Sequence, residues 1–317
     1  MRIAIALVVA GAMLAGCAAG DTGPSGAGPS PTPAEELIVQ AANYEVLEGE
    51  TSRFIAGVLT PEQLFVSFGS VEIEFFYLGT REGAGTAEQG PSVTATFLPI
   101  DGEGSASDTP KAVPASEGRG VYAAEVTLDR AGFWAAQLTA ELDGERKTGQ
   151  AVFEVYEEPR YPAVGEAAPK TENLTIDTAD APTEAIDSRA RDGVKLPDPE
   201  LHQMTVAESI RRKEPAIVVI STPVYCVSQF CGPITDMVGE LQRDHGDRAN
   251  FIHIEVWRNF QDTVVNKGAA EWIYRQDDLT EPWVFLIGAD GVIQARWDNV
   301  ATRAEIEPFL EELPKLR

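Results

Sequence analysis

The residues with the clearest capacity for chemistry are two cysteines five positions apart, Cys226 and Cys231. They follow a continuous apolar run at residues 216–220 and precede a stretch with helical character. A thiol in the first turn of a helix faces unpaired N–H groups and the positive end of the helix dipole, which favour the thiolate. The thiolate is the nucleophile in disulfide exchange and in attack on peroxide. We therefore expect Cys226 to be the reactive thiol at the start of this helix.

The spacing of the pair restricts how the two thiols can bond. Residues i and i+5 of one continuous helix have Cα atoms about 8–9 Å apart, whereas a disulfide requires less than about 7 Å. A bond therefore requires the helix to begin late, near Gly232 and Pro233, or to unwind locally. In a helix that begins late, Cys231 gains the dipole and the roles of the two thiols exchange.

The N-terminus has the pattern of an export signal. Met1 and Arg2 form a short positive region, residues 3–14 are apolar, and the sequence LAGC ends at Cys17. The apolar run is too short to span about 30 Å of hydrocarbon as a helix. The LAGC motif resembles the lipobox of bacterial lipoproteins. That resemblance implies cleavage before Cys17, attachment of diacylglycerol to its sulfur, and a lipid-anchored protein on the extracytoplasmic face of the cell membrane.

The composition limits the compartment and the partners. The chain has three cysteines, and once Cys17 carries lipid, Cys226 and Cys231 remain as a candidate disulfide in an oxidising compartment. The formal net charge of −25 argues against a basic patch that binds nucleic acid. The 317 residues suggest two domains after removal of the signal.

From about residue 201 the apolar pattern alternates between helix and strand. Thr205 and Glu208 form the pattern of a capping box that opens a helix, and Asp290-Gly291 favours a hairpin turn. Further helices are predicted from Cys226 to about residue 243, at 264–274 and from about 302 to 313. Strands are predicted at residues 216–220, 250–256, 283–287 and 292–297.

This order of elements resembles the thioredoxin-like superfamily, which includes thioredoxins and peroxiredoxins. Three motifs carry the resemblance: AIVVISTPVYC, which ends at Cys226; Glu281-Pro282 directly before WVFLI; and FLIGADGVIQARW. The resemblance implies that Cys226 attacks a disulfide, that Cys231 resolves the mixed disulfide, and that a cis Pro282 shapes the groove where the client backbone docks. It implies exported client proteins and a separate thiol redox partner, with no cofactor.

The cysteine spacing departs from the thioredoxin pattern, which leaves two alternatives open. Thioredoxins carry C-x-x-C and this chain carries C-x4-C, so a surface interaction module with a structural disulfide is one alternative. A peroxidase is the second, because the segment CVSQFCG resembles one peroxiredoxin branch. That branch, however, has Thr where Pro223 stands and Arg where Glu281 and Pro282 stand.

Metal-binding members of the superfamily are a weaker match. Copper chaperones use C-x3-C with a His late in the domain, and here the spacing differs while His202, His245 and His253 are scattered along the chain. His253 alternates within a predicted strand, which is more typical of a packed histidine than of a ligand. We therefore predict no metal site.

Residues 37–157 have the pattern of short β-strands separated by turns. The runs lie at residues 53–59, 71–78, 92–98, 120–128, 132–138 and 150–156. Six or seven short strands over this length argue for a β-sandwich. The stretch from GVY to AGFW, which ends at Trp134, resembles the late hairpin of small bacterial immunoglobulin-like domains.

These observations predict a multidomain chain with an N-terminal all-β immunoglobulin-like sandwich and a C-terminal α/β thioredoxin-like fold. The predicted parts are a lipoprotein signal peptide at 1–16, a flexible tether at 17–36, the sandwich at 37–157, a linker at 158–200 and the thioredoxin-like domain at 201–317. The predicted function is that of a membrane-anchored extracytoplasmic thiol–disulfide oxidoreductase.

Overall fold

The first half of the protein folds into antiparallel strands, because its apolar residues alternate with polar ones. A computed structural model describes residues 36–80, 86–100, 107–228, 230–276 and 278–316, so Cys17 and the predicted signal peptide lie outside the described residues. The strands are β1 Ile38–Ala41, β2 Thr51–Leu59, β3 Phe65–Ser67, β4 Ser70–Gly79, β5 Glu88–Pro99, β6 Lys111–Val113, β7 Gly120–Thr127, β8 Gly132–Leu142 and β9 Glu145–Val155. Each of the six predicted strands is confirmed.

These strands form one continuous antiparallel sheet in the order β6-β3-β2-β7-β5-β4-β8-β9, with β1 paired to β2. The sequence predicted a sandwich of two sheets, and β5 accounts for the difference. This long strand pairs with β4 along most of its length, and from Thr96 to Pro99 it pairs with β7. The same strand therefore joins both halves of the sheet.

The two halves nevertheless pack face to face. The ring of Phe54 in β2 lies 5.0 Å from Phe75 in β4 and 5.0 Å from Phe153 in β9, measured between ring centroids. β7 and β8 are consecutive but do not pair with each other, because β7 pairs with β2 and β5 while β8 pairs with β4 and β9. The chain thus crosses from one half to the other where the sequence predicted a hairpin.

The second half of the chain alternates between helices and strands. It contains α1 Thr183–Ile186, α2 Val206–Arg212, β10 Ala216–Ser221, α3 Cys231–His245, β11 Asn250–Glu255, β12 Trp257–Asn259, β13 Val264–Val265, α4 Lys267–Ile273, β14 Tyr274–Arg275, β15 Asp278–Leu279, β16 Trp283–Ile287, β17 Ile293–Asp298 and α5 Arg303–Glu312. Short 3₁₀ segments lie at Ser188–Gly193 and Pro199–His202.

A four-stranded mixed sheet in the order β11-β10-β16-β17 forms the centre of this half. β10 runs parallel to β11 and antiparallel to β16. Ile217 and Val219 of β10 face a core shared with α3 and α5, while Val218 and Ile220 face a core shared with α2 and α4. Helices therefore cover both faces, which is typical of strands that are apolar along their whole length, as β10 and β16 are.

Helix α4 begins later than the sequence predicted. Val264 and Val265 form a strand that pairs with β12, and the helix begins only after Asn266. The Asn266 side chain donates hydrogen bonds to the carbonyls of Ala185 and Glu255, at 2.8 and 2.7 Å. These tertiary contacts hold the chain at the start of the helix, and no local sequence pattern predicts them.

The segment predicted as a linker, residues 158–200, packs against the mixed sheet. Tyr161 is buried with its ring 4.9 Å from that of Trp283, and Ile293 in β17 donates a backbone hydrogen bond to Glu166 at 2.9 Å. The helix α1 and the first 3₁₀ segment also belong to this stretch, and the second 3₁₀ segment begins at its end. The division into independently folding domains stays a prediction.

Polar contacts join the antiparallel sheet to the α/β half, and Glu35–Arg317 forms one compact unit. Arg53 in β2 pairs with Glu305 at 2.6 Å and donates to the Val300 carbonyl at 2.7 Å. The Tyr44 N–H donates to Asp298 at 2.5 Å. An apolar cluster lies beside these contacts and contains Ile55, Ile100, Val121 and Val300.

Candidate functional site

Cys226 and Cys231 form a disulfide, with their Cα atoms 6.0 Å apart. This separation is shorter than the roughly 8–9 Å of a continuous helix and lies within the range of disulfides. Helix α3 begins at Cys231, next to Gly232 and Pro233, as the late start required. The expectation that Cys226 lies at the helix start is therefore wrong, because one helix cannot hold both cysteines of a bonded pair with this spacing.

The two sulfurs lie in different environments. Cys231 is fully buried, whereas Cys226 is only half-buried in the loop before the helix. The first hydrogen bond within α3 runs from the Ile234 N–H to the Phe230 carbonyl, at 3.0 Å. The backbone N–H of Cys231 thus belongs to the unbonded first turn, where the dipole favours a negative charge. Its greater exposure favours Cys226 as the sulfur that an external thiolate attacks. The helix stabilises a thiolate at Cys231.

The Glu281–Pro282 peptide bond is cis, which confirms the prediction for this bond. β16 begins directly after it at Trp283, which pairs with Ile220 near the end of β10. The loop that carries Cys226 leaves from the same end of β10. Pro282 and the disulfide loop therefore lie at the same edge of the mixed sheet.

A cavity of about 590 Å³ lies between this edge and the antiparallel sheet. Val227 and Ser228, next to Cys226 in the loop, form part of its lining, and Glu281 forms another part. Val227 is 92 % exposed. Burial raises the pKa of Glu281 to about 7, and the nearby carboxylate of Glu255 adds to this effect. The cavity therefore presents both apolar surface and a titratable carboxyl group beside the disulfide.

A buried chain of hydrogen bonds runs from the start of α3 into the mixed sheet. Thr235 Oγ1 donates to the Cys231 carbonyl at 2.7 Å, and the same hydroxyl lies 2.6 Å from Ser221 Oγ. Ser221 Oγ in turn lies 3.0 Å from His253 Nε2. These contacts hold the first turn of α3 against β10 and β11.

Beyond this chain, the carboxylate of Asp187 meets the imidazoles of His202 and His253. All three side chains are fully buried, and their potential ligand atoms lie within 4.8 Å of one another. Arg189 also contacts Asp187, with Nη2 2.7 Å from Oδ2 and Nε 3.1 Å from Oδ1. Two histidines that are scattered along the chain therefore converge on one carboxylate.

Burial and the neighbouring charged groups shift the pKa values of Asp187 and His202. Burial by itself raises the pKa of Asp187, but the facing imidazoles of His202 and His253 and the guanidinium of Arg189 hold it well below its usual range. Burial lowers the pKa of His202, against the attraction of Asp187. Asp187 therefore carries its negative charge inside the protein.

Sequence reasoning missed Asp187 because it belongs to the segment read as a linker. His202 ends a 3₁₀ segment of the same stretch, and His253 belongs to β11, more than fifty positions away. No spacing motif connects the three residues. Only the packing of residues 158–202 on the mixed sheet brings them together.

The role predicted for Cys17 stays a prediction, since this residue lies outside the described part of the chain. Among the described residues, the helices are all too short or too polar to cross a membrane. Comparisons with models of known protein families and with curated proteins found no match to this chain.

Proposed function

We propose that this protein exchanges thiols and disulfides with exported client proteins through Cys226 and Cys231. The observation that carries the proposal is the asymmetry of the pair: Cys226 is partly exposed, and Cys231 is fully buried at the N-terminus of a helix of 15 residues. Disulfide exchange is fastest when the attacked sulfur is accessible and the leaving thiol is a stabilised thiolate. Cys226 meets the first condition and Cys231 meets the second.

The exchange is balanced between the protein and its client. A client thiolate attacks Cys226 Sγ, the Cys226–Cys231 bond breaks, and its electron pair stays on Cys231 as a thiolate. A second client thiolate then attacks the client sulfur of the mixed disulfide and releases Cys226 as a thiolate. The client gains a disulfide and the protein becomes a dithiol; the reverse sequence reduces a client disulfide and uses Cys226 as the attacking thiol and Cys231 as the resolving thiol.

The cavity beside the disulfide supports a client-binding role for this edge of the sheet. Pro282 has no N–H, so it leaves no unpaired backbone donor at this position. Val227 offers exposed apolar surface in the same place. We propose that an extended client segment lies along this cavity with its sulfur next to Cys226.

We also propose a fold family for each half of the protein. A strand order of β11-β10-β16-β17, a helix after β10 and a cis proline before β16 support a thioredoxin-like fold for the α/β half. Face-to-face packing of the two halves of the antiparallel sheet, with consecutive strands β7 and β8 on opposite halves, supports an immunoglobulin-like sandwich.

Two measurements on the full chain test the redox proposal. We expect the Cys226–Cys231 couple to equilibrate reversibly with thiol buffers at a potential above about −300 mV. We also expect Cys231→Ser to accumulate mixed disulfides with exported proteins at Cys226, and Cys226→Ser to accumulate few. A lower potential with no trapped complexes from either variant would instead establish a structural disulfide in a non-catalytic interaction module.

We further propose that diacylglycerol on Cys17 anchors the protein to the extracytoplasmic face of the membrane. The motif LAGC at residues 14–17 supports this location. Cys17→Ser should leave an unprocessed precursor or release soluble protein. Recovery of this variant in the membrane fraction at the mature size would contradict the proposed anchor.

A further inference from the structure

The imidazole of His202 lies in the protein interior without a hydrogen bond. Its exposed fraction is 0 %, and within the described residues neither Nδ1 nor Nε2 has a hydrogen-bond partner. Buried polar atoms are almost always hydrogen-bonded, so an exception requires a physical reason. His202 Nε2 points to Asp187 Oδ2 from 3.4 Å, a separation longer than an ordinary N–H···O hydrogen bond.

The hydrogen-bond chain from α3 determines which nitrogen of His253 carries a proton. Thr235 has one hydroxyl proton and donates it to the Cys231 carbonyl. Ser221 must therefore donate to Thr235 in their 2.6 Å contact. Having used its only proton, Ser221 Oγ accepts from His253 Nε2 at 3.0 Å.

The neutral imidazole of His253 consequently has a lone pair on Nδ1. This nitrogen is buried, has no hydrogen-bond partner in the described residues, and lies 3.5 Å from Asp187 Oδ2. With His253 neutral, two groups that can only accept face each other in a fully buried site. Such an arrangement is unfavourable unless a cation lies between them.

The distances fit a metal ion as that cation. Ligand atoms held tetrahedrally at 2.0–2.2 Å from zinc are about 3.3–3.6 Å apart. The two measured separations from Asp187 Oδ2, 3.4 Å to His202 and 3.5 Å to His253, fall in this range. A decrease of at most about 1.5 Å in any separation would bring all three ligand atoms, now within 4.8 Å of one another, to that spacing.

The surrounding charges leave Asp187 able to bind a second cation besides Arg189. Arg189 Nη1 also pairs with Asp236 at 2.5 Å and with Asp198 at 3.1 Å. The guanidinium charge is therefore shared among three carboxylates. Its contact with Asp187 has the role of an outer hydrogen bond that orients a ligating carboxylate, and Ser221 has the same role for His253.

We propose that Asp187, His202 and His253 bind a divalent first-row transition metal ion, with Zn²⁺ as the ion that best fits two imidazoles and one carboxylate. Asp187 supplies Oδ2, His202 supplies Nε2 and His253 supplies Nδ1. The metal would join Asp187 of the 158–200 segment and His202, which follows it directly, to β11 of the mixed sheet. This site is distinct from the cysteine pair, and it does not depend on redox activity.

Metal binding by the wild-type protein is the first test. The full chain is used in its oxidised form, with Cys17 alkylated and the Cys226–Cys231 disulfide intact, so that no thiol contributes a ligand. Equilibrium dialysis against Zn²⁺ should give one bound ion per chain, and Co²⁺ should give the visible absorption of a four-coordinate site. Failure of the folded wild-type protein to retain either ion would overturn the proposal and would favour a protonated His253 paired with Asp187.

A pair of histidine variants assigns the site. His202→Ala removes a ligand without breaking any hydrogen bond of that side chain, so we expect Zn²⁺ affinity to fall at least about tenfold. His245→Ala is the matched control, because His245 contacts Glu307 at 2.9 Å and lies outside the cluster. Far-UV circular dichroism verifies that both variants fold. Equal affinity of wild-type protein and a folded His202→Ala variant would place the metal elsewhere and refute the assignment.

Discussion

Glu281 should make the stability of the folded protein depend on pH near neutrality. Burial, with repulsion from Glu255 and Asp278, raises the pKa of Glu281 from its ordinary value of 4.5 to about 7. Between these values the folded state holds a proton that the unfolded chain has lost, so stability falls as pH rises. The stabilisation is complete below about pH 4.5 and disappears above about pH 7. This difference in pKa between the folded and unfolded states corresponds to about 3 kcal/mol of folding free energy.

Urea unfolding at pH 5 and pH 8 measures this effect. Glu281→Gln keeps the shape of the side chain and removes its ionisation. We expect the wild-type protein to lose about 2.5 kcal/mol more than this variant between the two pH values. Glu240→Gln, an exposed position on α3, is the control and should follow the wild-type profile. If wild type and Glu281→Gln lose the same free energy over this range, the argument from burial is incorrect.

Three further perturbations test the packing. Arg53→Ala should lower the free energy of unfolding by about 2–3 kcal/mol, because it removes the guanidinium that pairs with Glu305 and lies beside buried Asp298; urea titration measures the loss. Thr302→Ala removes the capping box of α5 and should cost about 1 kcal/mol by the same assay, whereas no change would show that the cap is dispensable. A fragment of residues 158–317 should unfold at a higher temperature than one of residues 201–317, because it keeps the apolar residues of the first segment that pack on the mixed sheet; equal midpoints would contradict this.

The cysteine site shows how far spacing alone can predict structure. The i, i+5 separation predicted that a disulfide requires a late helix start, and α3 begins at Cys231. The same sequence could not show which sulfur is accessible. That difference arises because Cys231 is fully buried in the first turn of α3 while Cys226 lies in the loop before it, and burial depends on elements distant in the chain.

For the antiparallel sheet, too, the sequence predicts some features and not others. Alternation of apolar and polar residues determined the strands, since a period of two in a local run is sufficient to specify an extended segment with one buried face. This alternation does not predict the order of the strands in the sheet. The pairing of β5 with both β4 and β7 depends on the length and twist of that strand in the folded sheet, and it converts two predicted sheets into one.

The sequence by itself determined the six predicted strands of the antiparallel sheet, the four strands of the mixed sheet, most of the helices and the cap at Thr205, while the cis bond before β16 was expected from the resemblance. Each of these follows from a local pattern or from a motif within a few residues. The tertiary structure alone decided the cluster of Asp187, His202 and His253. Its members share no periodicity, and they meet only because a segment without a repeating apolar pattern packs on the mixed sheet and carries polar side chains into the interior.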